Sequence, residues 1–334
     1  MRGTHPAGPW RDGLNLIESF WMKVLVTGAS GLVGRALVEH LLATQTSQVV
    51  AALRTADSGW SVPQRAMGNL AAGEVPAGLL DGIDVVVHLA ARVHVMNETA
   101  SDPLQAFRAV NVQGTQALLQ AAAKAGVRRF VFVSSIKVNG ESTGAQPFSE
   151  SDPANPQDPY GQSKWEAEQL VRAFCEEHGM EWVIVRPPLV YGAGVQANFL
   201  RLLQALARNR PLPLGALHNR RSLVALDNLV DFLRLCTTHP AAANELFLIS
   251  DGNDLSVAEL ARHMRSALQS RSWLVPVPAG LLSTGLRLLG ASGAAQRLCG
   301  ELRVDSRKAQ VQLQWQPPAS VDEVIHKAVA AMQR

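Results

Sequence analysis

Tyr160 and Lys164 stand four residues apart in Tyr-Gly-Gln-Ser-Lys, a spacing that puts both side chains on one face if the segment is helical. An ammonium beside a phenol favours its ionised form, and the ordinary phenol pKa is about 10. Such a pair can take and return the proton of an alcohol that is becoming a ketone. Far upstream, Thr27-Gly28-Ala29-Ser30-Gly31-Leu32-Val33-Gly34 spaces three glycines where a strand should end and a helix begin. In such a turn the first glycine permits the tight bend, the second lets backbone approach a pyrophosphate, and the third lets helix and strand pack closely. The helix start then offers free amides and a partial positive charge to phosphate. The spacing is Gly-x-x-Gly-x-x-Gly rather than the Gly-x-Gly-x-x-Gly of ordinary dinucleotide folds. A proton-handling pair downstream of a dinucleotide turn points to an oxidoreductase.

These residues need elements to hold them. Short apolar runs at residues 23–27, 49–53, 84–89, 129–134 and 182–186 read as strands, with a late strand at 247–250. Helical spacing covers 32–42, 105–123 and 160–177, then 199–207 and 227–236; 211–215 is extended, and the chain from Ser256 onward is mostly helical with proline breaks. Continuous β-branched runs between helices predict a parallel sheet covered on both faces, with right-handed crossovers. The fold class is therefore α/β, a doubly wound parallel sheet with a smaller, mostly helical C-terminal lobe for substrate. Residues 22–190 with about 222–250 should form the nucleotide-binding domain, and 191–221 with 251–334 the substrate lobe. Residues 1–21 precede a natural first strand and lack the apolar core of a signal peptide, so a disordered extension is expected there.

With 334 residues the chain can bury a full core, and a formal charge of +3 is too small to suggest a nucleic-acid partner. No window holds the uncharged apolar run of a membrane span; residues 279–289 come closest, but they are short and include Arg287. Three scattered cysteines, Cys175, Cys236 and Cys299, form neither a metal nor a disulfide pattern. They suit a reducing cytoplasm.

The residue after the second strand discriminates between cofactors. An acid there binds the adenosine ribose hydroxyls of NAD, whereas this chain has Arg54, with its first acid at Asp57. A guanidinium suits a 2′-phosphate, which favours NADP and leaves NAD as the alternative.

The ordered set Thr27–Gly34, His88-Leu89-Ala90-Ala91, Asn111-Val112-Gln113-Gly114-Thr115, Ser134-Ser135, Tyr160-x-x-x-Lys164 and Arg186-Pro187 resembles the extended short-chain dehydrogenase/reductase superfamily, in its nucleotide-sugar epimerase/dehydratase branch. The resemblance covers residues 22 to about 330 and implies a Rossmann domain. It makes Ser135, Tyr160 and Lys164 the catalytic set: Tyr160 moves the hydroxyl proton, Lys164 supports it and the nicotinamide ribose, and Ser135 positions the reacting oxygen. It implies cofactor contacts from Gly28, Ser30, Gly31, Leu32, Val33, Gly34, Arg54, Leu89, Ala90, Ala91, Asn111 and Pro187. Asn111 reads first as structural, and His88 as a satisfied core histidine.

On the substrate side, the resemblance assigns Asn198 and Arg221 to a nucleotide diphosphate, with Arg297 a weaker candidate; a guanidinium offers phosphate two donors. Residues 212–215 resemble the piece that lies along uracil. The chain departs from the epimerase pattern after its serine pair, where Ile136-Lys137-Val138-Asn139 stands. Lys137 is either a contact to a substrate phosphate or acyl group or a solvated lysine, and Arg92 and His94 lie near the expected mouth. The implied activity is hydride transfer at C4 of a UDP-sugar, without a metal; the resemblance implies a homodimer formed through a helix bundle that includes 160–177. Arg54 and the departure after Ser135 favour a 4-ketoreductase of surface-polysaccharide synthesis over a 4-epimerase. A non-catalytic dinucleotide sensor is the reading from a different class, and retention of Tyr160, Lys164 and Ser135 argues against it.

Overall fold

The computed structural model describes residues 22–55, 59–93 and 101–333. The expected extension over 1–21, and with it Asp57 and His94, lies outside the described residues. Six strands, β1 (Lys23–Thr27), β2 (Gln48–Leu53), β3 (Gln64–Ala66), β4 (Val85–His88), β5 (Arg129–Val133) and β6 (Glu181–Arg186), build a parallel sheet. Two short strands, β7 (Leu189–Tyr191) and β8 (Leu223–Ala225), pair parallel with each other, and β9 (Glu245–Leu248) joins the main sheet beside β6. Strand order is β3-β2-β1-β4-β5-β6-β9. The direction of winding reverses between β1 and β4, and the crevice outside the strand ends at such a reversal is where ligands bind in these sheets.

Alternate strand residues enter opposite cores. Val24, Val26, Val85, Val87 and Val131 face one apolar cluster, while Leu25, Val86, Phe130 and Phe132 face the other. Helix α1 (Leu32–Thr44) covers the first face. Over the second face lie α2 (Pro103–Arg108), α3 (Gly114–Lys124) and the long α4 (Pro159–His178), the last two burying Leu118, Leu119, Ala167 and Val171. Asp158 caps α4 by accepting from the Gly161 amide, Pro159 opens it, and Gly179 ends it in the left-handed region at φ 66°.

The C-terminal region is helical, as expected: α5 (Ala197–Ala207), α6 (Leu226–Thr238), α7 (Val257–Ala267), α8 (Ala279–Leu288), α9 (Ser292–Cys299), α10 (Arg307–Leu313) and α11 (Val321–Met332). Helix α6 belongs to the first sheet face, against α1. Phe199 and Leu203 of α5, Leu260 and Met264 of α7, and Val324 and Ile325 of α11 form a separate apolar cluster with Tyr191. Among the described residues no helix is long and apolar enough to cross a membrane.

Two local expectations are corrected, and one strand was not foreseen. The single helix expected over 105–123 is α2 and α3 joined by a π-turn at Ala109–Gln113. The late strand is Glu245–Leu248 rather than 247–250, set by its register with β6, where Val183 opposes Glu245. Strand β3 has no apolar pattern to announce it; Gln64 and Arg65 pair in parallel register with Ala51 and Ala52.

Candidate active site

At the sheet's point of reversal, the turn after β1 meets the end of β4. Gly28 adopts φ 65°, and a Cβ there would sit 2.7 Å from the Ala90 amide nitrogen. A Cβ on Gly34 would lie 2.2 Å from the Gly28 carbonyl oxygen, so α1 packs against its own turn as only glycine allows. Gly31 caps α1 without any side-chain acceptor, and Ser30, Gly31 and Leu32 are exposed. The helix start is therefore left with free amides at the cleft, which suits the phosphates of a dinucleotide. Val33 is half-buried behind them.

The end of β4 is fixed from inside. Thr27 Oγ1 accepts from the Leu89 and Ala90 amides at 3.2 Å each and is 2.7 Å from His88 Nδ1. His88 Nε2 meets Thr115 Oγ1 at 3.1 Å. Burial, with the nearby Lys164, pushes the imidazole down to about 3, so His88 is a neutral core residue, as its apolar setting suggested. Ala91 follows, half-buried, and Arg54 stands exposed just past β2.

The π-turn has a geometric purpose. It carries Asn111 at 2% exposure, its Oδ1 accepting from the Arg92 amide at 2.8 Å and its Nδ2 donating to the Arg92 carbonyl at 3.1 Å. The same Nδ2 donates to Ser163 Oγ at 2.9 Å, and Ser163 donates to the Tyr160 carbonyl at 2.8 Å. Asn111 thus ties the segment after β4 to the helix that bears Tyr160 and Lys164. Extra backbone bulges of this kind recur at functional sites.

Ser135 follows β5 in extended backbone and caps the short 3₁₀ turn Ile136–Val138. The Ile136 amide donates to the Pro187 carbonyl at 3.0 Å, which holds this turn against the end of β6. Tyr160 is half-buried, hydrogen-bonded to Ser135, and packed edge-on against Phe107 at 5.9 Å. Burial first, then Asp158, pushes its hydroxyl up to about 12, against the opposing pull of the Ser135 bond. Lys164 is 2% exposed, with Nζ 4.2 Å from the centre of the Phe132 ring. Burial lowers it to about 7, with Glu168 working the other way. The sequence led us to expect Lys164 to pull the phenol down; burial of both groups instead drives each toward its neutral form.

Glu168 and Asn139 are residues that sequence reasoning passed over. Arg186 at the end of β6 donates to both Glu168 carboxylate oxygens, at 2.9 and 2.5 Å, and to Asn139 Oδ1 at 2.9 Å. This buried fork clamps α4 and the Ser135 turn to the sheet one helical turn beyond Lys164. Ser134, beside Ser135, is buried with a hydroxyl that has no protein partner among the described residues.

The candidate substrate residues divide. Arg92 places its guanidinium 5.5 Å from the Phe107 ring centre, one ring away from Tyr160. Arg221 donates to the Gly300 carbonyl at 3.1 Å and lies within electrostatic reach of Arg297 and Glu141. Arg297 is exposed on α9. Asn198 is exposed in the first turn of α5, beside Ala197 at φ 58°. Lys137 is paired with Glu141 at 2.8 Å and with Asp158. The extended piece expected over 211–215 is corrected: only Leu212 bridges, to Leu274, and the chain turns from Pro213 onward, with the Leu212 and Gly215 amides donating to the Trp273 and Val275 carbonyls at 2.9 Å.

A sequence profile described as the NAD dependent epimerase/dehydratase family matches residues 24–250, more than half the chain. The chain is 42% identical to a UDP-glucose 4-epimerase of Vibrio cholerae over 305 residues, which is 90% of this chain and 92% of that protein. It is 28% identical to an N-acetyl-alpha-D-glucosaminyl-diphospho-ditrans,octacis-undecaprenol 4-epimerase of Escherichia coli O157:H7, over 85% of this chain and 88% of the other. In fold it matches a UDP-glucuronic acid 4-epimerase from Bacillus cereus, solved in complex with NAD, with TM-score 0.75 and 21% identity over 93% of this chain and 99% of that one.

Proposed function

We propose, from the premise that the chain belongs to the NAD dependent epimerase/dehydratase family, that it inverts C4 of a UDP-sugar. The observation that carries this reading is the convergence of Ser135, Tyr160 and Lys164 beside a glycine turn shaped for a dinucleotide. The name of the Vibrio cholerae relative supports the C4 position and the UDP group.

The residues present fit the cofactor. Gly28 and Gly34 keep Cβ atoms out of the turn, and the uncapped start of α1 offers its amides. When bound, the cofactor supplies a place for the C4 hydride to go and to return from. NAD is the proposed form, on the family description and the Bacillus cereus neighbour's bound NAD. The NADP preference expected from Arg54 finds no support in either.

Tyr160 is assigned the proton of the C4 hydroxyl, which leaves as the carbon is oxidised and returns when it is reduced from the opposite face. Ser135 hydrogen-bonds that oxygen and holds it against Tyr160. Lys164, one helical turn along α4 from Tyr160, is assigned the nicotinamide ribose and, when protonated, support of the phenolate, and Arg221 binds the diphosphate. Residues 22–190 with about 222–250 serve the cofactor, and 191–221 with 251–334 the sugar nucleotide. A cytoplasmic homodimer through a bundle that includes α4 completes the proposal.

Net reduction of a 4-keto sugar is the second reading, favoured by Lys137 in place of the usual small residue after the serine pair. Incubation with UDP-glucose or UDP-N-acetylglucosamine and no added cofactor separates them. Inversion at C4 without net cofactor turnover is expected. Turnover only of a 4-keto sugar, with stoichiometric consumption of reduced cofactor, would replace epimerase by reductase.

A further inference from the structure

Lys137 stands in the turn after the serine pair, and its surroundings give it a different occupation from substrate contact. Its Nζ is 2.8 Å from Glu141 Oε1 and also pairs with Asp158 Oδ2. The other Asp158 oxygen accepts from the Gly161 amide at 2.7 Å and caps α4. The Lys137 amide donates to Ser135 Oγ at 3.3 Å. Its carbonyl backs so closely onto α4 that a Cβ on Gly161 would lie 2.9 Å away. One lysine thus joins the turn that bears Ser135 to the helix start that bears Tyr160.

We infer that the Lys137–Asp158 ion pair positions Tyr160 and sets the pH at which its hydroxyl gives up a proton, with Lys137 a positioning residue rather than a ligand for substrate. The inference deepens the proposed function and rests on it for the meaning of Tyr160.

Asp158 lies two residues before Tyr160, and after burial its negative charge is the main force holding the proton on the phenol. A cation bonded to Asp158 weakens that field, because the pair presents a dipole where a lone carboxylate would present a full charge. The lysine keeps its charge: burial works against it, but the bonds to Asp158 and Glu141 outweigh burial and raise it above the usual lysine value. Other groups around the phenol are accounted for. Lys164 lies on the same helix with its charge weakened by burial, and Arg92 acts from across the Phe107 ring. His88 on β4 is neutral, and Arg108 on α2 is neutralised by Glu166 at 2.5 Å.

The chain contains two tyrosines. The other, Tyr191, donates to Asp251 at 2.8 Å and is pushed far up by burial and by that carboxylate, so the first phenol to ionise is Tyr160. Titration of ring-labelled tyrosine by NMR therefore reads Tyr160 without any need for activity. Lys137→Met should move the Tyr160 midpoint up, and Asp158→Asn should move it down, each by roughly 0.5–1 unit. Asparagine remains a good helix cap, so α4 keeps its start. Lys137→Arg should restore the wild-type midpoint, and the pH profile of kcat should follow the same directions, with KM for the UDP-sugar changing less than kcat. A role in folding alone would move both substitutions the same way; that result, or an unmoved midpoint, overturns the inference. So does a rise in KM at Lys137→Met with kcat and midpoint unchanged, the signature of a substrate ligand. Opposed midpoint shifts in a protein that turns over no UDP-sugar uphold the ion pair and sink the proposed function instead.

Discussion

Tyr160 and Lys164 illustrate how one environment acts on two groups in opposite senses. Burial drives the phenol up to about 12 and the ammonium down to about 7, so both resist charge. The cost of keeping Lys164 buried should be visible in stability. An unfolded lysine titrates near 10.4, so below about pH 7 both states are protonated and the folded one bears the whole penalty. Between about 7 and that unfolded value the unfolded chain binds more protons, and stability from this source rises with pH. Lys164→Met should therefore raise Tm, more at pH 6 than at pH 9.5, while abolishing turnover. A gain that is equal or larger at the alkaline pH would contradict the assignment. A residue that destabilises its own fold and is nevertheless held buried one helical turn from Tyr160 fits a functional site.

At the scale of elements, the glycine turn shows how packing constrains the cofactor-binding surface. A Cβ on Gly34 would lie 2.2 Å from the Gly28 carbonyl oxygen, whereas one on Gly31 would find that oxygen at 3.2 Å. Gly34→Ala must push α1 away from its own turn, which should cost about 1–3 kcal/mol and weaken NAD binding; Gly31→Ala should be milder in thermal melts. Equal melting temperatures for the two variants would refute this account of the turn. The turn was legible in the sequence because its glycines report backbone demands directly. The start of α4 was read one residue late, at Tyr160; Asp158 caps it and Pro159 opens it. The π-turn was not legible, since Ala109–Gln113 has ordinary helical composition and the extra residue is imposed by where Asn111 must reach. Nor was β3, whose three residues have no apolar face and are held by backbone pairing with β2 and by the Arg65 guanidinium, which donates to the Gly78, Leu79 and Asp81 carbonyls. The Arg186–Glu168–Asn139 clamp stayed hidden because its partners are brought together across the sheet by folding, at separations that leave no local pattern.

Across the whole molecule, the parallel sheet delivers everything to one edge. The ends of β1 and β4 supply the dinucleotide turn and its facing wall, the end of β5 supplies Ser135, and α4 brings Tyr160 back over the second face. The C-terminal segments are drawn together at Arg221, which pairs by backbone with Leu255 and Leu302 and lies within electrostatic reach of Glu141, the partner of Lys137 in the Ser135 turn. Sequence order alone could list these parts, but their meeting depends on the winding reversal between β1 and β4. The account turns on the phenol at that meeting point. The most direct measurement is C4 inversion of a UDP-sugar by Tyr160→Phe, alongside wild type, with NAD binding measured separately on both. A fall in kcat of roughly 10²–10⁴-fold with NAD affinity unchanged is predicted; turnover within a few-fold of wild type would contradict it.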